Sequence, residues 1–497
     1  MAAKPELVIG LVGPVGGDLA AASKEIGKAL APYGYTVKAV RLSSLLVEVR
    51  GGEHLGRDDM PEDTRIERYM DAGDELRRQA GTDVVATLGM GYIYDYRRRK
   101  TSADSAEKVA FVLNSLKHPD EVETLRKTYG HRFILISVHT PTKERLASLA
   151  KRIAKSHGKP QSAKRFEDAA TRLMERDERD ETTDCGQNVR ETFTLGDVYV
   201  STSPATEMAS GIGRYMALFF GHPFLTPTRA EYAMFQAHAA ALRSADLSRQ
   251  VGAVVATERG DIVAVGCNEV PRAFGGQYWP DDPSDERDFQ LGYDSNAKAG
   301  RDALERAYDA LTAAGQLAEK ASLEGFISSL GGTRLANITE FGRPVHAEMA
   351  ALLDAARRGS MVQDHELFTT TFPCHNCARH IIDAGIRRVV YREPYEKSLA
   401  AELHSDAVVV DPADEKLGDE RVVISRFVGV GPPRYFDLFT KPVRKDADGN
   451  RVEWSEAFAS PRLVADDATA YLATEEEVVG DLKTAMANVD ISRKGNQ

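Results

Sequence analysis

Four residues of the 497-residue chain have the types and the spacing of a catalytic zinc site. His346 and Glu348 stand two residues apart in an HAE tripeptide, and Cys374 and Cys377 stand three apart in PCHNC. Two thiolates and an imidazole can hold one tetrahedral zinc ion and leave its fourth position for water. Zinc lowers the pKa of such a water from about 15.7 to about 7, which makes a hydroxide nucleophile available at neutral pH. The pattern therefore predicts zinc ligands at His346, Cys374 and Cys377, with Glu348 beside the water as the acid and base.

Each half of this pattern is common on its own, because a CxxC pair also occurs in structural zinc sites and in redox centres. The combination is more specific, since the histidine comes first and Pro373 precedes the first cysteine. A closed structural site needs a fourth cysteine or histidine, and His375 and His380 are the nearby candidates. A catalytic zinc is the favoured interpretation, and a structural zinc is the alternative.

The elements predicted around these residues place the ligands at the beginnings of two helices. Apolar residues recur at helical spacing after His346, namely Met349, Leu352, Leu353 and Ala356. Residues 365–372 are predicted as a strand, residues 377–384 as a second helix, and residues 386–393 as another strand. Helix N-termini favour thiolate and hydroxide because their dipoles are positive there. This order of elements would bring both halves of the pattern to one site.

The HAE and PCHNC motifs resemble the signature of the cytidine and deoxycytidylate deaminase superfamily. Upstream, residues 244–271 resemble the hairpin that precedes the HAE helix in deoxycytidylate-type members. The resemblance implies that Asn268 contacts the sugar of a nucleotide substrate, and Arg249 is a candidate phosphate contact. Asparagine also caps turns, and that common role is the alternative for Asn268.

With its N-terminal region included, the whole chain is similar to the anti-phage dCTP deaminases, bacterial defence proteins that join a P-loop kinase-like domain to such a deaminase. The resemblance implies an α/β fold, with an N-terminal P-loop kinase-like domain on a parallel sheet and a C-terminal three-layer α/β/α cytidine deaminase-like domain. Prolines and a glycine at 221–228 interrupt the periodicity and mark a boundary. The predicted domains are residues 1–220, residues 221–440 and a C-terminal extension at 441–497.

The N-terminal region opens with a predicted strand at 6–13 and a predicted helix at 19–30, joined by a glycine turn. In a P-loop, the amides of such a turn and the N-terminus of the helix bind phosphate. Gly13, Gly16 and Gly17 are therefore candidate nucleotide-binding residues.

The phosphate-binding lysine of a P-loop is missing from this turn. Counted from Gly13, the pattern GxxxxGK[ST] asks for glycine, lysine and serine or threonine where the chain has Asp18, Leu19 and Ala20. Asp18 would repel phosphate, and Ala20 offers magnesium no hydroxyl. The Walker A motif is degenerate, and a tight turn without hydrolysis is the favoured interpretation.

Further strands are predicted at 35–40 and 133–138, with amphipathic helices such as 143–153 among them. This alternation predicts a mostly parallel sheet that is covered on both sides. The charged stretch 172–188 resembles the arginine-bearing lid of nucleotide kinases, which implies phosphate contacts. Its arginines alternate with acids, so a solvated helix end is favoured for them. They are Arg172, Arg176 and Arg179.

An insertion at 271–345 is far longer than a usual connection and should have a structure or a function of its own. It begins with the aromatic run FGGQYW, continues through an acidic stretch, and is predicted to be helical from Asn296 to Ser329. The aromatic run is predicted either to close over a base or bind an effector, or to pack on the deaminase or a neighbouring subunit.

Composition excludes several other classes of protein. A net charge of −11 disfavours a broad nucleic-acid surface, and four cysteines in so long a chain make no disulfide framework. No apolar run reaches the length of a membrane span, and the N-terminus lacks the pattern of a signal peptide. A cytoplasmic protein is expected.

The sequence and the resemblance together predict a zinc-dependent hydrolase that deaminates dCTP, dCMP or both to the uracil nucleotide and ammonia. The resemblance implies that this depletes dCTP during phage infection. It also adds a nucleotide effector, a repressing small RNA and a homo-oligomer as candidate partners. Two alternatives are a base deaminase that acts on RNA or DNA, and a nucleotide-sensing regulatory module with a structural zinc.

Overall fold

A computed structural model of the chain describes residues 6–56, 60–99, 107–178, 180, 185–318, 320–331, 333, 341–395, 397–412, 420–440, 443–464 and 470–491. Its strands, in chain order, are β1 (Glu6–Val12), β2 (Tyr35–Arg41), β3 (Lys108–Asn114), β4 (Phe133–His139), β5 (Val198–Ser201), β6 (Gly252–Ala256), β7 (Ile262–Cys267), β8 (Glu366–Thr371), β9 (Arg388–Glu393), β10 (Val408–Val410), β11 (Val422–Arg426) and β12 (Gly429–Val430).

Its α-helices are α1 (Leu19–Leu30), α2 (Leu42–Leu45), α3 (Glu62–Ala80), α4 (Val84–Arg99), α5 (Pro119–Tyr129), α6 (Thr142–Ser156), α7 (Glu167–Glu178), α8 (Val189–Thr194), α9 (Ala205–Phe219), α10 (Arg229–Ala241), α11 (Asp288–Leu291), α12 (Ser295–Ala313), α13 (Leu323–Leu330), α14 (Ala347–Arg357), α15 (His375–Asp383), α16 (Ala400–Leu403), α17 (Tyr435–Phe439) and α18 (Ala470–Met486). No helix among these combines the length and the apolar composition that a membrane crossing needs.

The chain divides into two units, and the division differs from the predicted domain boundaries. The first unit contains residues 1–231 and 428–497, and the second contains residues 232–427. The sequence placed the boundaries at 220 and 440 and named 441–497 a C-terminal extension. In the structure that extension belongs to the first unit.

The first unit is built on a six-stranded sheet in the order β12-β5-β4-β1-β3-β2. Its strands run parallel, except that the short β12 is antiparallel to β5. All seven residues of the central strand β1 are buried, as the apolar run at this position requires. Helices α1 and α9 share a core with one face of the sheet, and α4 packs against β3 on the other side. The predicted parallel-rich α/β fold is confirmed here, and the kinase-like character of the unit stays a prediction.

The C-terminal part of the chain completes the core of the first unit. Val430 and Leu438 are buried in the same cluster as Phe219 and Phe220, and α18 packs on α4 and α5. The segment 431–439 falls within the second predicted domain, residues 221–440. In the structure it joins the first unit, because Leu438 and Phe439 pack in the core of that unit.

A buried network of charges and hydroxyls ties α18 to the start of the chain. Arg97 donates to the carboxylates of Glu6, at 2.9 Å, and of Glu475, at 3.2 Å. The hydroxyl of Tyr129 donates to Glu475 at 2.6 Å, and that of Tyr471 donates to Glu6 at 3.1 Å. The Glu475 side chain is fully buried, so its charge depends on these partners.

The second unit is built on a six-stranded sheet in the order β10-β11-β9-β8-β6-β7. The pairs β6–β7 and β6–β8 are antiparallel and the others are parallel, so the predicted hairpin is present. Helices α14 and α15 share a core with one face. Helix α10 closely approaches Gly252 on the other face. The second unit therefore has the predicted three layers.

The insertion forms a base close to the sheet and an exposed helical arm. An isolated antiparallel bridge between Glu269 and Val345 joins its two ends. Helices α12 and α13 have no buried residue, and Tyr308 connects them through a hydrogen bond to the carbonyl of Ala321, at 2.8 Å, and a ring contact with Phe326. The predicted long helix is thus a pair of helices.

Candidate active site

The position of His346, in the first half of the predicted zinc site, is fixed by the backbone at the end of the insertion. The backbones of Glu269 and Val345 exchange hydrogen bonds of 3.0 and 3.3 Å, which fixes the chain immediately before His346. His346 is the N-cap residue of α14. That helix lies so close to β7 that a Cβ on Gly266 would stand 2.4 Å from the carbonyl oxygen of Ala347. Small residues at this contact therefore set the position of the histidine.

The second half is placed by β8 and α15. Strand β8 ends at Thr371, and Cys374 is the N-cap residue of α15. The backbone N–H of Cys377 donates to Cys374 Sγ at 3.4 Å, so the helix N-terminus faces the sulfur. A positive helix end favours a thiolate at this position.

The structure brings the three predicted ligands together. His346 Nδ1 lies 3.3 Å from Cys374 Sγ and 3.4 Å from Cys377 Sγ. The ligand atoms of these three residues all lie within 4.8 Å of one another. Neither His375 nor His380 joins this group in the described part of the chain. Two buried thiols and one imidazole at these separations are a donor set that fits zinc and leaves one coordination position for water.

Glu348 lies in the first turn of α14, beside the ligands. Its side chain is 4 % exposed, and the Cys377 thiol donates to its Oε2 at 3.4 Å. Burial raises the pKa of Glu348, and the nearby sulfur of Cys374 adds to the rise. A buried carboxylate one helical turn from the ligands is placed as an acid–base residue requires.

Taken alone, the three ligand side chains form a hydrogen-bonded acid–base cluster. Hydrogen bonds from Cys377 and His346 lower the pKa of Cys374 to about 4. The bond to Cys374 in turn raises the pKa of His346 to about 9. The thiol of Cys377 has a raised pKa, because it shares its proton with Cys374 and is buried. The cluster thus favours a Cys374 thiolate, the form that binds a metal.

A cavity of about 590 Å³ opens onto this cluster. His346, Glu348 and Cys374 lie in its wall, together with Phe372 and Tyr395. A volume of this size suits a nucleotide-sized ligand.

Asn268 lines this cavity, but its amide is engaged by the protein. Its Oδ1 accepts from the Val251 N–H at 2.7 Å, and its Nδ2 donates to the carbonyl of Arg249 at 2.8 Å. The side chain thus holds the backbone of the segment before β6. This role is close to the turn-capping role that was the alternative for Asn268. One amide hydrogen and one lone pair are left over, so a substrate contact stays a prediction.

Arg249 also lines the cavity, and its side chain is exposed. Its guanidinium lies 5.6 Å from the centre of the Tyr395 ring. Tyr395 and Lys397 were not predicted as site residues, although a YEK tripeptide after β9 gives an aromatic ring and a cation in sequence. The sequence alone does not show that this loop returns to the zinc cluster.

The insertion supplies another part of the cavity wall that the sequence did not predict. Asp288, Asp294 and Asn296 line it, at α11 and the start of α12. Asp288 is held by Arg343 at 2.8 Å, and Asp294 caps α12 by accepting from the Ala297 N–H at 2.6 Å. Hydrogen bonds within the insertion therefore hold Asp288 and Asp294 in this part of the cavity wall.

The aromatic run of the insertion packs elsewhere on the second unit. Gln277 donates to the carbonyl of Cys267 at 2.7 Å, and the Arg243 guanidinium lies 3.7 Å from the centre of the Trp279 ring. None of these residues lines the zinc cavity. The contacts of Gln277 and Trp279 fit the packing interpretation better than closure over a base at the zinc cluster, whereas Phe274 in the same run is fully exposed.

The predicted glycine turn of the first unit is present. Gly13, Gly16 and Gly17 line a second cavity, which lies within that unit. Gly16 has a φ of 87°, a conformation that glycine adopts without strain, and the Gly17 N–H donates to the carbonyl of Pro14 at 3.1 Å. This is the tight turn of the favoured interpretation, and nucleotide binding by these residues stays a prediction.

The arginines compared with a kinase lid are placed differently from one another. Arg176 forms ion pairs with Asp71, Asp74 and Asp180, at 2.8 to 3.0 Å. Arg172 is exposed, and Arg179 lies outside the described residues. Asp71 and Asp74 lie on α3, so Arg176 joins two helices through ion pairs, whereas a solvated helix end was the favoured interpretation for it.

Comparison with known proteins finds a family match for a stretch of the chain that lies mostly in the second unit. Residues 227–393 match the family described as the cytidine and deoxycytidylate deaminase zinc-binding region. The match contains Glu348 and all three ligands.

Among curated proteins, the deoxycytidylate deaminase of Enterobacteria phage T2 is 43 % identical over 54 residues, which are 11 % of this chain and 29 % of that protein. The probable deoxycytidylate deaminase of Drosophila melanogaster is 28 % identical over 161 residues, which are 32 % of this chain and 57 % of that protein. The chain thus spans less than two thirds of either relative.

Among solved structures, the dCMP deaminase of cyanophage S-TIM5 is 18 % identical, with a TM-score of 0.23, and is covered completely by 41 % of this chain. The same values hold for its structure in complex with dCMP and dUMP. In the matched motifs and in the geometry of their side chains, residues 227–393 of this chain are similar to the zinc-binding region of cytidine and deoxycytidylate deaminases.

Proposed function

We propose that the second unit hydrolyses a deoxycytidine nucleotide, dCMP or dCTP, to the corresponding uracil nucleotide and ammonia. The observation that carries this proposal is the position of Glu348. Its buried carboxylate lies 3.4 Å from Cys377 Sγ, in the wall of a cavity that also exposes His346 and Cys374. A structural zinc site has no need of an acid–base residue beside its ligands.

The reaction replaces the amino group on C4 of cytosine by an oxygen atom from water. A zinc ion held by His346, Cys374 and Cys377 supplies Lewis-acid activation of that water at neutral pH. Glu348 accepts one proton from the water and delivers it to N3 of the ring. It then transfers the second proton of the water to the amino group, which leaves as ammonia, and the carboxylate returns to its starting form.

The cavity supports a nucleotide as the substrate. Its volume of about 590 Å³ is larger than a pyrimidine base needs, and Arg249 and Lys397 place two cations in its wall. The Arg249 guanidinium lies over the Tyr395 ring at 5.6 Å from its centre, within the range of a cation–π contact. A phosphate at this position would complete the site with a charge-assisted hydrogen bond.

The inclusion of dCTP as a substrate beside dCMP and the role in anti-phage defence rest on the resemblance of the whole chain to the anti-phage dCTP deaminases. So do the nucleotide effector, the repressing small RNA and the homo-oligomer. We propose on this resemblance that the deaminase acts in anti-phage defence as a homo-oligomer, and that a nucleotide effector and a small RNA regulate it.

A substrate panel tests the proposal. The purified chain is incubated with dCMP, dCTP, CMP, CTP and a cytosine-containing single-stranded oligonucleotide, and ammonia and the uracil product are measured. We expect release of ammonia from dCMP, dCTP or both, and no reaction with the oligonucleotide.

Two outcomes would contradict the proposal. Deamination of the oligonucleotide in preference to every free nucleotide would favour a polynucleotide deaminase. One zinc per chain without deamination of any cytosine compound would favour a regulatory module with a structural zinc.

A further inference from the structure

The first unit contains a cavity that the deaminase reaction does not use. It has a volume of about 460 Å³ and lies at the carboxyl ends of β1, β2 and β3. Residues that follow these strands line it, namely Gly13, Leu42 and Ser115. In open parallel α/β sheets, ligands bind at this edge of the sheet.

Five cations line the cavity, and four of them are ion-paired. The cations are Arg41, Arg65, Arg77, Lys117 and Arg152. Glu62 pairs with Arg65 and Arg152, Asp74 and Glu121 pair with Arg77, and Asp177 pairs with Lys117. The charge of this wall is therefore largely balanced, and an anionic ligand would bind by taking the place of a paired carboxylate.

Arg77 is a buried cation of this wall with an unused donor. Its side chain is 2 % exposed, and it pairs with Glu121 at 2.9 Å and with Asp74 at 3.3 Å. Its Nε has no hydrogen-bond partner among the residues that the structure describes. A buried donor without a partner costs stability, and a ligand oxygen would satisfy it.

A carboxylate already occupies the position at which the glycine turn would meet an anion. Asp177, on α7, accepts from the Val15 N–H at 2.6 Å and from Lys117 Nζ at 2.7 Å. Lys117 also donates to the carbonyl of Gly13 at 3.3 Å. An amide of the turn and a lysine thus converge on one buried carboxylate, as they would on a phosphate oxygen.

Lys117 therefore supplies the cation that the turn itself lacks. It follows β3 in the sequence, whereas a P-loop lysine would stand at position 19 on α1. Ser115, two residues before it, has a φ of 79°, which is uncommon for a residue other than glycine. Strained backbone of this kind is concentrated at ligand sites.

We propose that this cavity binds a small phosphorylated compound, with Lys117 as its main phosphate contact and Asp177 as the group that the phosphate displaces. Ile66, Met70 and Val85 form an apolar part of the wall that can receive the rest of the ligand. A volume of about 460 Å³ holds a mononucleotide or a sugar phosphate.

Calorimetric titration of the full chain tests this proposal. The probes are AMP, ATP and ribose 5-phosphate, with adenosine as the probe without phosphate. None of them is a cytosine compound, so the titration is independent of deamination and of whether the proposed deaminase activity is correct. We expect a phosphorylated probe to bind and adenosine to bind at least about tenfold more weakly, since a charge-assisted phosphate contact is lost.

Two substitutions should act in opposite directions. Lys117→Met should weaken binding of that probe at least about tenfold, and Asp177→Asn should tighten it about tenfold, because asparagine keeps an acceptor for Val15 without the competing charge. Lys28→Ala is the control, since Lys28 is an exposed lysine of α1 paired with Glu25. The melting temperature of each variant is measured to confirm that it is folded.

The proposal is overturned if no phosphorylated probe binds either the natural chain or the Asp177→Asn variant. It is also overturned if binding is unchanged in a folded Lys117→Met variant, or if adenosine binds as tightly as its phosphates. Should Lys117→Met fail to fold, the increase expected for Asp177→Asn decides, and weaker binding by that variant contradicts the proposal.

Discussion

At the scale of single residues, Asn268 shows how a side chain at a cavity can serve the fold. Its amide joins the backbone of Val251 and Arg249 through two hydrogen bonds, and the residue is 7 % exposed. We expect Asn268→Ala to lower the free energy of unfolding by about 1–3 kcal/mol, since the buried Asn268 amide loses two hydrogen bonds to partly buried backbone groups.

Chemical denaturation of the variant checks this prediction. Asn450→Ala, at an exposed turn, is the control and should change stability by no more than about 0.5 kcal/mol. A loss of activity by Asn268→Ala with unchanged stability would instead show that its amide serves only the substrate.

Substitution of Arg249 tests whether its guanidinium contacts the phosphate of the substrate. We expect Arg249→Ala to lower kcat/KM for dCMP about tenfold, mainly through KM, because one charge-assisted hydrogen bond is removed. The same variant should deaminate the nucleoside deoxycytidine as the natural chain does, since the nucleoside has no phosphate.

Arg259, exposed in the hairpin turn between β6 and β7, provides the control for a general effect of surface charge. Steady-state kinetics of both variants on both substrates decide the matter. An equal decrease of kcat/KM on dCMP and on deoxycytidine would show that Arg249 does not contact the substrate phosphate.

At the scale of elements, the contact between α14 and β7 determines where His346 and Glu348 stand. A Cβ on Gly266 would lie 2.4 Å from the Ala347 carbonyl and 2.4 Å from the Ala351 N–H, both of them backbone atoms of α14. We expect Gly266→Ala to displace the helix, to lower the free energy of unfolding by about 1–3 kcal/mol, and to reduce zinc content.

Gly300→Ala is the matched control for this prediction. Gly300 lies in the exposed helix α12, where an added Cβ meets nothing within 4 Å. Alanine should stabilise that helix by up to about 1 kcal/mol. Thermal melting and metal analysis of the two variants compare them, and normal zinc content in Gly266→Ala would show that the helix position is set elsewhere.

The same elements show which parts of the site could be read from the sequence. The ligands and Glu348 were predictable because their spacing is local, and α1 was predicted with the bounds that the structure has. Tyr395 and Asp294 were not, since they reach the cavity only through the fold of a loop and of the insertion. Strand β3 was not predicted, although its sequence KVAFVLN has the buried apolar run of a central strand.

At the scale of the whole chain, the assignment of the C-terminal region to the first unit could not be read from local patterns either. Strand β12 has two residues, and α18 is attached by a network that joins residues hundreds of positions apart. Polar and acidic composition at 441–497 suggested an extension, whereas Glu475 and Tyr471 are buried. Tertiary contacts of this kind override composition.

That network gives a prediction about stability. We expect Glu475→Ala to lower the free energy of unfolding by about 3–5 kcal/mol, because it removes the buried partner of Arg97 and Tyr129. Glu477→Ala, exposed on the same helix, should change it by no more than about 0.5 kcal/mol. Denaturant unfolding of both variants provides the measurement, and equal values for the two would show that α18 is not held by this network.

The most direct test is to measure zinc content and deamination together in the natural chain and in Glu348→Gln. The account predicts one zinc per chain in both proteins, and a loss of at least about 100-fold in the deamination of dCMP or dCTP by the variant. Cys374→Ser should lose the metal as well as the activity. Deamination by Glu348→Gln at the natural rate, with zinc retained, would contradict the account.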